Sequence, residues 1–135
     1  HADNRIKTTR LTTEEEGVAL SLGAWLGGDR SALLMQSSGV GNCINMLSVI
    51  VETRSPLLML VTMRGEWGEF NPWQIPMGQG TAKSLEDAGV LVYHVDKAEE
   101  LQETIYAASQ IAFNSYRPVA VLIGQRVIGF KDWRK

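Results

Sequence analysis

Residues 32–42 read ALLMQSSGVGN. The first part, Ala32–Gln36, is a short and mostly apolar run, which is typical of a strand buried in a sheet. The small residues of Ser37–Asn42 then predict a tight turn, and Cys43–Glu52 predicts a helix after it. A buried strand, a turn and a helix in this order form the unit of α/β folds, so the stretch indicates that class.

A helix is predicted just before this strand. It opens at Glu14-Glu15-Glu16, whose acidic side chains suit the positive end of the helix dipole, and it ends at Gly27-Gly28. Either Thr12 or Thr13 is a suitable cap, and Thr13 with Glu16 has the spacing of a capping box. By residue chemistry alone, the three glutamates are simply a solvated helix start.

The rest of the chain repeats the alternation of strand and helix. We predict strands at Leu57–Thr62, Val90–Val95 and Val119–Ile123, helices at Thr81–Ala88 and Lys97–Ser115, and an irregular segment at Met63–Gly80. Strands that are apolar throughout and alternate with helices predict an open, mainly parallel sheet with helices on both faces. A length of 135 residues fits one domain, which we place at residues 1–135.

The composition excludes several classes of function. The formal net charge of −2 gives no basic footprint for nucleic acid, and no apolar run approaches the roughly 20 residues of a membrane helix. Cys43 is the one cysteine, and with only His1 and His94 as histidines it belongs to no metal-binding pattern. We therefore expect a cytoplasmic protein without a metal site of its own.

In a parallel sheet, ligands bind beyond the carboxyl ends of the strands, which points to Gln36–Asn42, Met63–Gly80 and the turn after Val95. The glycines at 39 and 41 lack the third glycine of a dinucleotide-binding loop, since position 44 is Ile44. A plain tight turn is thus favoured over a nucleotide site. The later Gly78–Ser84 segment does not match a phosphate loop.

Arg64 follows directly on the second predicted strand, and two interpretations of it stay open. It forms a surface pair with Glu66, or its guanidinium fork holds an anionic substrate. The neighbouring aromatic residues Trp67, Phe70 and Trp73 are an alternative interface patch.

Several of these segments together resemble one family. Glu14–Val18, Gly23–Leu26 and Ala32–Asn42 look like the pyrimidine-binding (PYR) domain of thiamine-diphosphate enzymes. Met63–Trp67 and Asn71–Gln79 resemble the alpha subunits of sulfopyruvate decarboxylases, with phosphonopyruvate decarboxylase as a close relative. The resemblance implies the pyrimidine-binding subunit of a thiamine-diphosphate-dependent carboxy-lyase that converts sulfopyruvate to sulfoacetaldehyde and CO₂. Phosphonopyruvate as substrate, and a non-catalytic module of the same fold, are the alternatives.

The resemblance also assigns residues. The family's essential glutamate precedes the helix glycine by nine residues, which from Gly23 leads to Glu14, with Glu15 as the alternative if the register differs by one. Its carboxyl group is implied to be catalytic and to bind N1′ of the cofactor's aminopyrimidine ring. The other residues implied at the cofactor are Gln36, Ser37, Ser38, Gly39, Gly41 and Asn42. Arg64 and Gln79 are the candidates for the anionic group of the substrate.

Two departures from the family pattern concern a partner. The Gly-Asp-Gly motif that begins the diphosphate and magnesium site does not occur, and Gly28-Asp29-Arg30 is not equivalent to it. The resemblance therefore implies a separate beta subunit that holds the diphosphate and Mg²⁺, in a hetero-oligomer. We also expect the fold to lack the βα unit that family members carry before the segment equivalent to Thr8–Thr12.

Overall fold

The structure is a computed structural model and describes residues 3–129, so that His1 lies outside the described part. The elements in chain order are α1 (Glu14–Leu26), β1 (Ala32–Gln36), α2 (Ser37–Glu52), β2 (Leu57–Thr62), a 3₁₀ turn (Pro72–Gln74), α3 (Ile75–Asp87), β3 (Leu91–Val95), α4 (Ala98–Ser115), β4 (Pro118–Ile123) and α5 (Gln125–Ile128). The strands and α4 agree with the sequence prediction to within a residue at each end.

The four strands form one sheet in the order β1-β2-β4-β3, and every neighbouring pair is parallel. The predicted α/β class with an open parallel sheet is confirmed. Because all strands run in one direction, their carboxyl ends at Gln36, Thr62, Val95 and Ile123 lie along the same edge of the sheet. The segments that follow these residues are thereby brought together, as an open parallel sheet requires.

Different helices pack on the two faces of the sheet, each through buried apolar side chains. The residues of α1, α2 and α3 pack on one face, through Val18, Cys43, Leu47, Ile50 and Leu85. On the other face α4 packs through an apolar stripe that includes Ala108 and Ala112. None of the helices in the described residues combines the length and apolar composition that a membrane span requires.

The tight turn predicted at Ser37–Asn42 is wrong, because α2 begins at Ser37 directly after the strand. Within it Val40, Cys43, Leu47 and Ile50 recur at helical spacing, and all four are fully buried. Burial of this stripe outweighs the low helix propensity of the glycines at 39 and 41, which costs roughly 1 kcal/mol each.

The prediction that the chain is irregular up to Gly80 is also wrong, since α3 already begins at Ile75 rather than at Thr81. The side chain of Asn71 accepts a hydrogen bond from the backbone N–H of Trp73 at 3.2 Å, which starts the preceding 3₁₀ turn. Pro76 lies in the first turn of α3, where its missing N–H has no helical partner to lose.

The start of α1 is confirmed at Glu14, but its capping differs from the prediction. Thr13 is the N-cap residue, and its side chain makes no capping hydrogen bond. The carboxylate of Glu16 instead accepts a hydrogen bond from the backbone N–H of Thr12 at 2.7 Å. The Glu16 side chain is therefore bonded to the backbone just before the helix, and the hydrogen bond from the Thr13 hydroxyl that a capping box requires is not formed.

Candidate active site

Glu14, the first residue of α1, lies against the first turn of α2. Its Oε2 accepts a hydrogen bond from Nδ2 of Asn42 at 2.9 Å. A Cβ atom at Gly39 would lie 2.5–2.6 Å from the Cγ, Cδ and Oε1 atoms of Glu14, closer than real Cβ contacts come. A glycine at position 39 is thus what lets the carboxyl group sit here. The structure brings Glu14, Gly39 and Asn42 together, all three of which the sequence predicts at the site.

Other residues predicted at the cofactor have contacts within the chain. Ser37 is buried, and its Oγ accepts a hydrogen bond from the backbone N–H of Arg64 at 3.0 Å. Oγ of Ser38 donates to Oε1 of Gln36 at 3.0 Å. Gly41 is exposed. Ser37 therefore fixes the segment after β2 to the start of α2.

Cys43 lies close enough to Glu14 and Glu15 for their charges to act on its thiol. Oε2 of Glu15 is buried and has no hydrogen-bond partner among residues 3–129. Burial raises the pKa of the fully enclosed Cys43 thiol to about 12, and the charges of Glu14 and Glu15 add to the effect. The thiol is protonated at neutral pH, which excludes it as a nucleophile.

Arg64 does not pair with Glu66, so that interpretation of the sequence is wrong. Its Nε and Nη2 atoms donate to the two carboxylate oxygens of Glu69 at 2.6 and 2.5 Å. Gly65, with a φ of +77°, turns the chain between them. Arg64 has two of its three guanidinium nitrogens occupied. Gln79, the second candidate for the substrate, donates from Nε2 to the backbone carbonyl of Gly65 at 2.9 Å.

Glu69 is the centre of this segment, and the sequence analysis missed it. Besides Arg64, its carboxylate accepts hydrogen bonds from the backbone N–H groups of Gly65 and Asn71 and from Nε2 of Gln125. Only 3% of the Glu69 side chain is exposed. The hydrogen bond from Arg64 is the largest cause that lowers the pKa of Glu69 to about 2, against the opposing effect of burial.

Gln125, also missed, connects this segment to the end of β4. Its Oε1 accepts from the backbone N–H groups of Glu66 and Trp67 at 2.8 and 2.9 Å, and its side chain is buried. Glu66 in turn contacts Nε2 of His94 at 2.8 Å, on the edge strand β3. A sequence pattern does not reveal such contacts, because 59 residues separate Glu66 from Gln125.

The aromatic residues of the segment have different surroundings. Trp67 is stacked under the guanidinium of Arg126 at 4.7 Å, and Phe70 lies under that of Arg64 at 5.2 Å. Trp73 is 82% exposed and Ile75 is 42% exposed. Trp73 and Ile75 therefore form an exposed apolar surface near the carboxyl ends of the strands.

The Glu69 carboxylate predicts how stability depends on acid. A carboxyl group with a depressed pKa stabilises the fold above its unfolded-state pKa, and this stabilisation is lost as pH falls through the folded-state value. We expect the free energy of unfolding to fall by about 3 kcal/mol from about pH 5 to about pH 2 because of this group. Urea unfolding across this range measures it. Glu69→Gln should flatten the dependence, and equal slopes in both proteins would contradict the assignment.

Gly39→Ala should impair the activity that depends on Glu14 while leaving the stability of the fold nearly unchanged. The new methyl group would displace the flexible Glu14 side chain rather than backbone, so the unfolding free energy should change by less than about 1 kcal/mol. If Glu14 is the catalytic carboxyl group that the family resemblance implies, its displacement should lower the rate about 100-fold. Gly23→Ala is the matched control, because Gly23 also lies within a helix and a Cβ there meets nothing within 4 Å. Equal activities of the two variants would contradict the packing described.

The arrangement fits an aromatic nitrogen heterocycle. Oε1 of Glu14 accepts no hydrogen bond from the described residues and can share a proton with a ring nitrogen. No group of three or more metal-ligating side chains forms within the part of the chain that the structure describes.

Comparison with known proteins shows which family the chain resembles. A family described as pyruvate flavodoxin/ferredoxin oxidoreductase, thiamine diphosphate-binding, matches residues 2–129. The chain is 39% identical over 122 residues to sulfopyruvate decarboxylase subunit alpha of Methanococcus maripaludis, across 90% of this chain and 73% of that protein. The corresponding subunit of Methanocaldococcus jannaschii is 36% identical over 121 residues, across 89% and 72%. Phosphonopyruvate decarboxylase of Streptomyces viridochromogenes is 30% identical over 130 residues, across 94% of this chain and 33% of that protein.

Proposed function

The chain belongs to the family of sulfopyruvate decarboxylase alpha subunits, among the thiamine-diphosphate-binding proteins, and on this premise we propose that Glu14 is its catalytic residue. The enzyme class is a thiamine-diphosphate-dependent carboxy-lyase. The observation that carries the proposal is the Glu14 carboxyl group held at the first turn of α2 by Asn42 and Gly39.

Each part of the site has a separate task in this proposal. When bound, thiamine diphosphate supplies the carbanion and electron-sink chemistry of decarboxylation. Glu14 holds or releases a proton at N1′ of the aminopyrimidine ring through Oε1, while Oε2 stays on Asn42. Gly39 leaves the space that the Glu14 side chain occupies. Ser37 and the Glu69 centre hold the segment that faces the substrate.

We propose sulfopyruvate as the substrate, with Arg64 near its sulfonate group. Because Glu69 accepts hydrogen bonds from Nε and from one N–H of Nη2, the Arg64 donors left for an anion are Nη1 and the second N–H of Nη2. Phosphonopyruvate is the alternative, which the similarity to a phosphonopyruvate decarboxylase supports. Both acids combine a 2-oxo carboxylate with a second anionic group, so the same guanidinium serves either.

A partner chain completes the proposed enzyme. The relatives named as alpha subunits support a second subunit, and we propose that it is a beta subunit that holds the diphosphate and Mg²⁺. The exposed Trp73 and Ile75, at the same edge of the sheet as Glu14, are the proposed contacts with it.

Co-expression with a diphosphate-binding beta chain tests the proposal. We expect CO₂ release from sulfopyruvate when both chains, thiamine diphosphate and Mg²⁺ are present, and slower release from phosphonopyruvate. Faster CO₂ release from phosphonopyruvate than from sulfopyruvate would make phosphonopyruvate the substrate instead. Saturable cofactor binding without decarboxylation of either acid would instead favour a non-catalytic module.

A further inference from the structure

Asn42 has a contact that its expected role at the cofactor does not explain. Its Nδ2 donates to Oε2 of Glu14 at 2.9 Å, so one of its amide hydrogens is engaged by the carboxylate. Asn42 follows Gly39 by three residues in α2, and residues so spaced lie on the same face of a helix. One helix face thus provides both the space for the Glu14 side chain and the donor that holds it.

The two oxygens of Glu14 are consequently not equivalent. Oε2 is bound to Asn42, whereas Oε1 lies against Gly39 and accepts no hydrogen bond from the described residues. A carboxylate that rotates freely presents either oxygen to a ring nitrogen in many directions. A donor fixed on a rigid helix removes that freedom before the ring arrives, which is how preorganisation increases rate.

We propose that Asn42 is a positioning residue that acts through Glu14 and does not itself touch the cofactor. The proposal rests on the proposed function of Glu14. It predicts that the amide donor, not the size of the side chain at position 42, determines the rate of decarboxylation. A hydrogen bond from a neutral donor to a carboxylate is charge-assisted, and its loss lowers the rate about 10- to 100-fold.

Three variants of the two-chain enzyme distinguish the effect of the Asn42 amide donor from the effect of side-chain shape at position 42. Asn42→Ala removes the donor, and Asn42→Asp keeps the shape but places a second carboxylate against Glu14, which repels it. Asn45→Ala is the matched control, because Asn45 is exposed one turn further along α2. We expect kcat to fall about 10-fold or more in Asn42→Ala and further in Asn42→Asp, with Asn45→Ala unchanged. Calorimetry should give cofactor affinities within about threefold of each other for Asn42→Ala and the original chain.

The opposite ranking overturns the proposal. If Asn42 served only by its size, the isosteric Asn42→Asp would be the more active of the two variants. A loss of cofactor affinity that matches the loss of kcat in Asn42→Ala would show direct contact with the cofactor and would also overturn it.

A readout that needs no cofactor distinguishes this inference from the proposed function. In the chain labelled with ¹³C at glutamate Cδ, Asn42→Ala should move the Glu14 resonance, assigned by its absence in Glu14→Gln, while Asn45→Ala leaves it in place. An unmoved resonance would disprove the hydrogen bond itself. A shifted resonance in an enzyme that decarboxylates neither acid would disprove only the proposed function.

Discussion

Glu14→Gln is expected to lower the rate of CO₂ release from the two-chain enzyme by about 100- to 10,000-fold, the range lost when a general acid–base group is removed. The glutamine keeps the length of the side chain and can still accept a hydrogen bond from Asn42, but it has no carboxyl proton to exchange with a ring nitrogen. Stopped assays of CO₂ release at saturating cofactor measure the effect.

Glu15→Gln is the comparison for this variant. Oε2 of Glu15 is buried and has no hydrogen-bond partner, from α2 or elsewhere, among residues 3–129. We expect the larger loss in Glu14→Gln. A larger loss of activity in Glu15→Gln would assign the catalytic role to Glu15. Full activity in both variants would show that neither glutamate is catalytic.

Gly78→Ala is expected to destabilise the chain by about 3 kcal/mol or more. A Cβ atom at position 78 would collide with the backbone carbonyl oxygen of Arg64 and would lie 2.8 Å from Cα of Gly65. Both obstacles are backbone, so neither can rotate away as a side chain does. Thermal unfolding should show a midpoint roughly 10 °C lower, or a chain that does not fold.

Gly80→Ala provides the control two residues further along α3. A Cβ atom there meets only Oγ of Ser84, at 4.0 Å, and alanine favours a helix over glycine by about 0.5–1 kcal/mol. We expect a small gain in stability. If both variants gained stability, the close crossing of α3 and the segment after β2 would be contradicted.

The strands were predictable because each is a short, mostly apolar run, and β2 and β4 are buried on both faces of the parallel sheet. Leu57–Thr62 illustrates this, since its bounds agree with the prediction and its side chains alternate between the two cores. Similarly, α4 was predictable from the apolar stripe that includes Ala108 and Ala112, which covers one face of that sheet.

The starts of α2 and α3 were not predictable because their residues serve contacts far away in sequence. Gly39 is needed for the Glu14 carboxyl group and Gly78 for the carbonyl of Arg64, yet in the sequence both glycines indicate turns. Only the tertiary contacts explain why small residues lie inside these helices.

The candidate site was predictable in part. The spacing of Glu14 from Gly23, interpreted through the family resemblance, led to the residue that the structure places beside Gly39 and Asn42. The predicted pair of Arg64 with Glu66 was wrong, because the turn at Gly65 brings Glu69 rather than Glu66 to the guanidinium. A turn with positive φ changes which neighbours meet, and charge spacing alone does not contain that information.

The position of the Glu14 carboxyl group in the assembled enzyme decides the central claim. A crystal structure of the chain with its beta-type partner, thiamine diphosphate and Mg²⁺ measures it directly. The account predicts Oε1 of Glu14 within about 2.6–3.2 Å of the N1′ nitrogen of the aminopyrimidine ring, with Oε2 still on Asn42. A ring bound elsewhere, with this carboxyl group facing bulk solvent, would contradict it.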